Sequence, residues 1–175
     1  MHDPQAAFET IIGPLEDRMI RVIWRIVRNE HDAEDAMQNA LATICHRWNR
    51  VTQHPAPQAL VLKICIDAAY DVARRRTKNR TLATAEIEPA DRGDLPSAGL
   101  VERETQTEVL AAIQRLSRHQ ATAISLRVFE ELPYDQIAAS LGCSEATARK
   151  HVARARAQLR RVLAHHFPEV ENERR

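Results

Sequence analysis

The chain has 175 residues, room for one ordinary domain or two small ones. Hydrophobic residues make up 44% and charged residues 28%, which excludes bulk disorder, and an aromatic share of 4% with scarce glycine favours helices over sheets. A net charge of +1 excludes an indiscriminate nucleic-acid binder, so the distribution of charge carries the information. Basic residues crowd Arg74–Arg80 and Arg149–Arg161, whereas Glu30, Asp32, Glu34 and Asp35 gather near the N-terminus and more acids lie between the basic stretches. This segregation fits a partner protein on one surface and DNA on others. Cys45, Cys65 and Cys143 are far apart and form no CxxC pair, so neither a disulfide framework nor a metal site is expected. There is no basic-then-apolar leader and no apolar run of bilayer length, so a cytoplasmic location without membrane insertion is expected.

In chain order, Leu15, Met19, Ile20, Ile23, Ile26 and Val27 form a helical stripe opened by Pro14. A second stripe runs through Ala36, Met37, Ala40, Leu41, Ile44 and Trp48, with Asp32 as its expected N-cap and Glu34 and Asp35 in a first turn where the helix dipole favours acids. The stretch His54-Pro55-Ala56-Pro57 breaks it, and a third helix spans roughly residues 58–76, with Lys63–Asp67 and Asp71–Arg75 at ion-pair spacing. Apolar periodicity then fades across Pro89, Gly93, Pro96 and Gly99 and resumes at Val109, Ile113, Leu116, Ile124, Val128 and Phe129. The expected fold is all-α: an N-terminal helical bundle over residues 5–78, a flexible linker over 79–103 and a smaller helical domain over 104–165.

The C-terminal part carries the clearest motif. Pro133 opens a short helix with Ile137, Ala138 and Leu141 on its inner face, Gly142 supplies a left-handed stop, and Ser144 caps the next helix. That helix has an apolar stripe at Ala148, Val152, Ala155, Leu159 and Val162, and a basic face opposite it. A helix, a tight glycine turn and a basic second helix make a helix-turn-helix, whose second helix enters the major groove. Thr147, Arg149, Lys150 and His151 lie early enough on it to reach base edges; Arg154 and Arg156 lie further along, where phosphates are held.

Two segments together resemble a known family. Asp32-Ala-Glu-Asp35-Ala-Met-Gln38-Asn-Ala-Leu41, with the helix ending Asp71-Val-Ala-Arg-Arg-Arg76, is similar to region 2 of extracytoplasmic-function (ECF) sigma factors of the sigma-70 family. Leu116 to Leu163, with Pro133-Tyr-Asp-Gln-Ile-Ala, Leu141-Gly-Cys-Ser-Glu and Arg154-Ala-Arg, resembles their region 4. The resemblance implies a non-enzymatic, cofactor-free factor that binds RNA polymerase core and directs promoter-specific initiation. It assigns Asp32, Glu34, Asp35 and Gln38 to the clamp helices of the largest catalytic subunit. Lys63, Arg74, Arg75 and Arg76 go to the downstream promoter element, the region 4-like helix to the upstream element, and an anti-sigma protein becomes a further partner. The chain departs from the family pattern at Leu60 and Leu62, where aromatic residues are usual, at Asp67 in place of Asn and at Asn39 in place of Glu. These departures bear on strand opening. A stand-alone helix-turn-helix regulator and a sigma-like interaction module that binds polymerase or an anti-sigma protein without opening promoters are the alternative readings.

Overall fold

The computed structural model describes residues 4–82 and 108–164, the side chains of 4–7 and 80–82 excepted. Among the described residues every regular element is a helix: α1 (Pro4–Ile12), a 3-10 turn (Gly13–Leu15), α2 (Glu16–Val27), α3 (Glu30–His46), α4 (Trp48–Thr52), α5 (Pro57–Leu82), α6 (108–114), α7 (Arg118–Phe129), α8 (Tyr134–Leu141) and α9 (Glu145–Leu163). The all-α expectation holds. The expected linker falls largely on residues 83–107, outside the described residues.

Helix α5 organises the molecule. Helices α2 and α3 pack on it from the N-terminal side and α7 and α8 from the C-terminal side. Between Ala59 and Ala73 only Lys63, Ala68 and Asp71 escape full burial. A helix covered on one stripe would expose a polar face; one covered all round is a core helix. The N-terminal bundle seals around Met19, Val22, Ile23 and Ile26 of α2 and Ala36, Ala40 and Ile44 of α3. Small residues on α3 let its backbone approach α5 closely. Cys65 is fully enclosed, and burial pushes its thiol pKa up to about 12, with the nearby charge of Glu130 acting in the same direction.

Three boundaries differ from the sequence expectation, each for a local reason. The N-cap of α3 is Asn29, not Asp32. Arg28 ends α2 in a left-handed conformation (φ 60°), and Asn29 follows with extended backbone, so its Oδ1 accepts the Asp32 backbone N–H at 2.9 Å. Asp32 sits at the third helical position, where the Asn29 Nδ2 donates back to its carboxylate at 2.6 Å. Helix α3 stops at His46 because the Arg47 N–H is drawn to the carbonyls of both Thr43 and Ile44, which tightens the last turn; Trp48 therefore belongs to α4. Its ring meets that of Phe8 from α1, a helix that the apolar pattern did not announce, at 5.5 Å between centroids. Finally, α5 continues to Leu82, so residues 79–82, assigned to the linker, are helical; nothing between Thr77 and Leu82 is a helix breaker.

In the C-terminal half, α7 begins with a capping box: the Ser117 side chain accepts from the third helical N–H, and Gln120 accepts from the Ser117 N–H at 3.3 Å. All six residues from Ala121 to Leu126 are buried, so α7, like α5, is covered on more than one side. Val128 is an exception to the resumed apolar stripe, 53% exposed on its outer edge. Helix α8 ends at Gly142 in the left-handed region (φ 67°), with its N–H donating to the Ala139 carbonyl at 3.2 Å and the Cys143 N–H to Ala138 at 3.0 Å. A Cβ at Gly142 would meet nothing, so the requirement there is conformational and not steric. Gly142→Ala should therefore lower stability by about 1 kcal/mol, the cost of holding an L-residue in the left-handed region. Urea melts of the two proteins check this, and equal midpoints would remove the argument.

Candidate nucleic-acid interface

The helix-turn-helix forms as the sequence requires. Ser144 leaves α8 in extended conformation, its hydroxyl accepts the Thr147 N–H at 3.2 Å, and Glu145 follows in the first turn of α9. Ala148, Val152 and Ala155 bury one face of α9 against α7 and α8, while Leu159 and Val162 are half-buried and Leu163 is buried at the end of the stripe. The opposite face presents Lys150, Arg154 and Arg156 to solvent.

The other three positions expected to contact bases are engaged locally. The Thr147 hydroxyl lies 2.9 Å from that of Ser144. Arg149 makes a forked ion pair with Glu145, one turn back, and its guanidinium lies 4.3 Å from the Tyr134 ring centroid. Arg127 stacks on the same ring at 5.0 Å, so Tyr134 holds two guanidinium groups. This tyrosine, at the start of α8, was not singled out from the sequence; its signal exists only once α7, α8 and α9 are brought together. The His151 ring stacks on that of His119 at 5.7 Å between centroids, and its enclosed Nδ1 has no partner among the described residues. Burial, then the neighbouring His119 and Arg154, lowers the His151 pKa from the ordinary histidine value.

On α3, Glu34, Asp35 and Gln38 are exposed. Asp32 differs from them. It is largely enclosed, held by Asn29 and by Arg76 from α5, whose Nη1 lies 2.8 Å from its carboxylate. Asp32 and Asp35 share a polar cleft between α3 and α5 with Asn39, Arg75 and Arg76. The acidic positions are thus brought together, with the basic end of α5 beside them.

The basic positions of α5 each have a protein partner, although Arg75 and Arg76 are exposed. Lys63 donates to Asp67 at 2.7 Å and Arg74 reaches the Leu116 carbonyl at 3.4 Å. Arg75 donates to the backbone carbonyl of Asp71 at 3.2 Å; the expected Asp71–Arg75 carboxylate pair is replaced by Asp71 with Arg118 of α7, at 3.0 Å. Asp67 is enclosed: besides Lys63 it accepts from the Thr122 hydroxyl at 2.7 Å and faces the Arg118 Nε at 3.6 Å. Leu60 and Leu62, which stand where aromatic residues are usual, are both buried. Thr122 and Arg118 were missed because their partners lie some fifty residues earlier in the chain.

Comparison with known proteins agrees with this geometry. The family described as Sigma-70, region 4, matches residues 106–159, which contain the whole helix-turn-helix. Over 169 residues the chain is 27% identical to the ECF RNA polymerase sigma factor SigE of Mycolicibacterium smegmatis, covering 94% of this chain and 64% of that relative's length. It is also 27% identical to the RNA polymerase sigma-H factor of Pseudomonas aeruginosa, over 90% of this chain and 86% of that one. The fold matches that of the sigma factor RpoE of Bartonella quintana, solved in complex with the anti-sigma factor NepR, with a TM-score of 0.54, 22% identity and coverage of 89% and 96% of the two chains. The region 4 match covers the helix-turn-helix, and the similarity to ECF sigma factors extends through the N-terminal bundle, over 94% and 90% of this chain for the two relatives.

Proposed function

We propose that this protein is a sigma factor that binds RNA polymerase core and directs promoter-specific initiation. The observation that carries the reading is the pairing of two exposed surfaces of opposite charge on one chain. The acidic face of α3 is Glu34, Asp35 and Gln38, and the basic face of α9 is Lys150, Arg154 and Arg156. The first suits the clamp helices of the largest polymerase subunit and the second suits duplex DNA. Neither surface is a catalytic constellation. The work is done by holding two partners at once, in the cytoplasm where polymerase and promoter meet.

The division of labour follows the two halves: residues 5–78 for the polymerase core and the downstream element, and 104–165 for the upstream element, with the intervening segment as connection. On α9, Arg149 is the base reader best prepared by its surroundings. Glu145 and Tyr134 fix the guanidinium before DNA arrives, which lowers the ordering cost of a bidentate contact to guanine. Lys150 and His151 flank it, and Thr147 borders the groove. Arg154 and Arg156 hold phosphates. Asp32 contributes to the polymerase surface indirectly, because Asn29 and Arg76 bind its carboxylate and keep the first turn of α3 in place. An anti-sigma protein is the natural third partner, as the structural neighbour was solved with one.

Purified core polymerase with this protein should initiate transcription from a cognate promoter selected out of a library; a folded protein that forms no complex with core would end the reading. Asp35→Lys should abolish core binding in a pull-down while leaving the helical circular dichroism spectrum unchanged, since Asp35 is exposed and only loosely paired with His31 at 4.0 Å. Arg149→Ala should relax base preference at one position at a cost of about 1–3 kcal/mol, whereas Arg156→Ala should weaken all duplexes alike. Binding of a mutated-site panel by both variants checks that division.

A further inference from the structure

We propose that the segment following α9, residues 165–171, folds back into the apolar groove between α6, α7 and α9, with Phe167 seated in the groove and Glu169 and Glu171 against the arginines that edge it.

Three helices build the groove, and each gives it a pair of apolar side chains one turn apart. Val109 and Ile113 come from α6, Ile124 and Val128 from α7, and Leu159 and Leu163 from α9. They enclose about 790 Å³, the size of pockets that hold a small ligand or a few side chains. The exposure of Val128 follows from its place in this wall. Arg156, Arg160 and Arg161 line the same groove from α9 and are exposed. The ion pairs of the described residues leave all three without a carboxylate. An apolar floor edged by unpaired cations suits an occupant that is apolar in the middle and acidic at its sides.

The sequence after α9 has that composition and lies within reach. It reads His165-His166-Phe167-Pro168-Glu169-Val170-Glu171. Leu163 and Ala164 themselves line the groove, so the chain leaves α9 at its mouth. Pro168 has no N–H to carry the helix onward and disfavours helical backbone at Phe167, which turns the chain off the α9 axis. In polyproline geometry, with three residues per turn, Phe167 and Val170 share one side and Glu169 and Glu171 fall on the flanks. Residues 165–171 span about 22 Å in that geometry. The path back along α9 from Ala164 to Arg156 is only about 12 Å. Because the segment is tethered at the groove, contacts too weak to hold a free peptide suffice.

Other occupants suit the groove less well. The exposed apolar pair that a second copy would offer, Ile20 and Trp24 of α2, lies among Arg21, Arg25 and Arg28, of the same charge as the arginine edge. Duplex DNA would satisfy the arginines and leave the apolar floor uncovered. Docking of the segment has a consequence that rests on the reading of α9 as a DNA-binding helix. Arg156 is there a phosphate contact, and Glu169 and Glu171 compete with phosphate for it. Arg149 and Lys150, at the other end of α9, stay available.

The test uses the whole chain and two variants confined to the segment, Phe167→Ser with Val170→Ser, and Glu169→Gln with Glu171→Gln. In methyl NMR spectra the first variant should shift Val109, Ile113, Ile124 and Val128, while Ile23, Ile44 and Ile66 of the N-terminal bundle keep their wild-type positions. Unmoved groove methyls, or changes centred elsewhere, would overturn docking. Groove signals that change on dilution of the wild type would give the groove to a second copy instead. The glutamine variant should bind an arbitrary duplex about threefold more tightly at low salt, with the gain lost as salt is raised. Groove shifts in the first variant with no gain in the second would overturn the competition for Arg156. If wild type and variants alike fail to bind any duplex, the DNA-binding reading of α9 fails, while the methyl spectra still decide where the segment sits.

Discussion

A buried carboxylate sets the terms for the rest of this molecule. Asp67 lies near the middle of α5, the longest helix among the described residues, and a carboxylate taken out of water is tolerated only if other groups replace its hydration. Lys63 does so from the same helix, and Thr122 and Arg118 from α7. These contacts join the two halves of the chain, since two of the three partners come from α7. Apolar packing supplies most of the cohesion, yet apolar surfaces are indifferent to a slide of a few ångströms; the polar contacts fix the register.

The same constraint explains why α5 is so thoroughly buried. In a stand-alone bundle a helix with α2 and α3 on one side would turn its other side to solvent or to a ligand. Here that other side meets α7 and α8, and Tyr70, enclosed there, has its phenol pKa pushed up to about 12 by burial. Lys63 and Arg74 are both bound to protein, Lys63 to Asp67 of its own helix and Arg74 to the Leu116 carbonyl.

What could be read from the sequence was local. The Gly142 stop, the Ser144 cap and the Ala148–Val152–Ala155 stripe are decided within one or two helical turns, and each formed where spacing and residue type required. The Lys63–Asp67 pair was legible for the same reason. Asp71 was misassigned because two basic partners compete for it. Arg75 is adjacent in sequence, but Arg118 can approach the carboxylate head-on while Arg75 settles on the backbone carbonyl. The α3 cap shifted from Asp32 to Asn29 because the left-handed Arg28 moved the helix start upstream, a conformation with no signature in an arginine. Asp32, Glu34, Asp35 and Gln38 were named through family resemblance, and of these the fold encloses Asp32 and leaves the other three exposed. The seam between the halves was invisible, since its partners are hydroxyl-bearing residues of ordinary type whose pairing only the tertiary fold creates.

The enclosure of Cys65 has a consequence for the chemistry of the folded chain. A thiol is attacked by oxidants and alkylating reagents as the thiolate, and with a pKa near 12 and no exposed surface Cys65 offers almost none of it at neutral pH. Cys45, exposed on α3, takes the modification first, and Cys143 is only partly shielded. The chain therefore carries a built-in clock: the slow appearance of Cys65 adducts records how often the central helix is released from its neighbours, at whatever temperature or in whatever company the protein is kept.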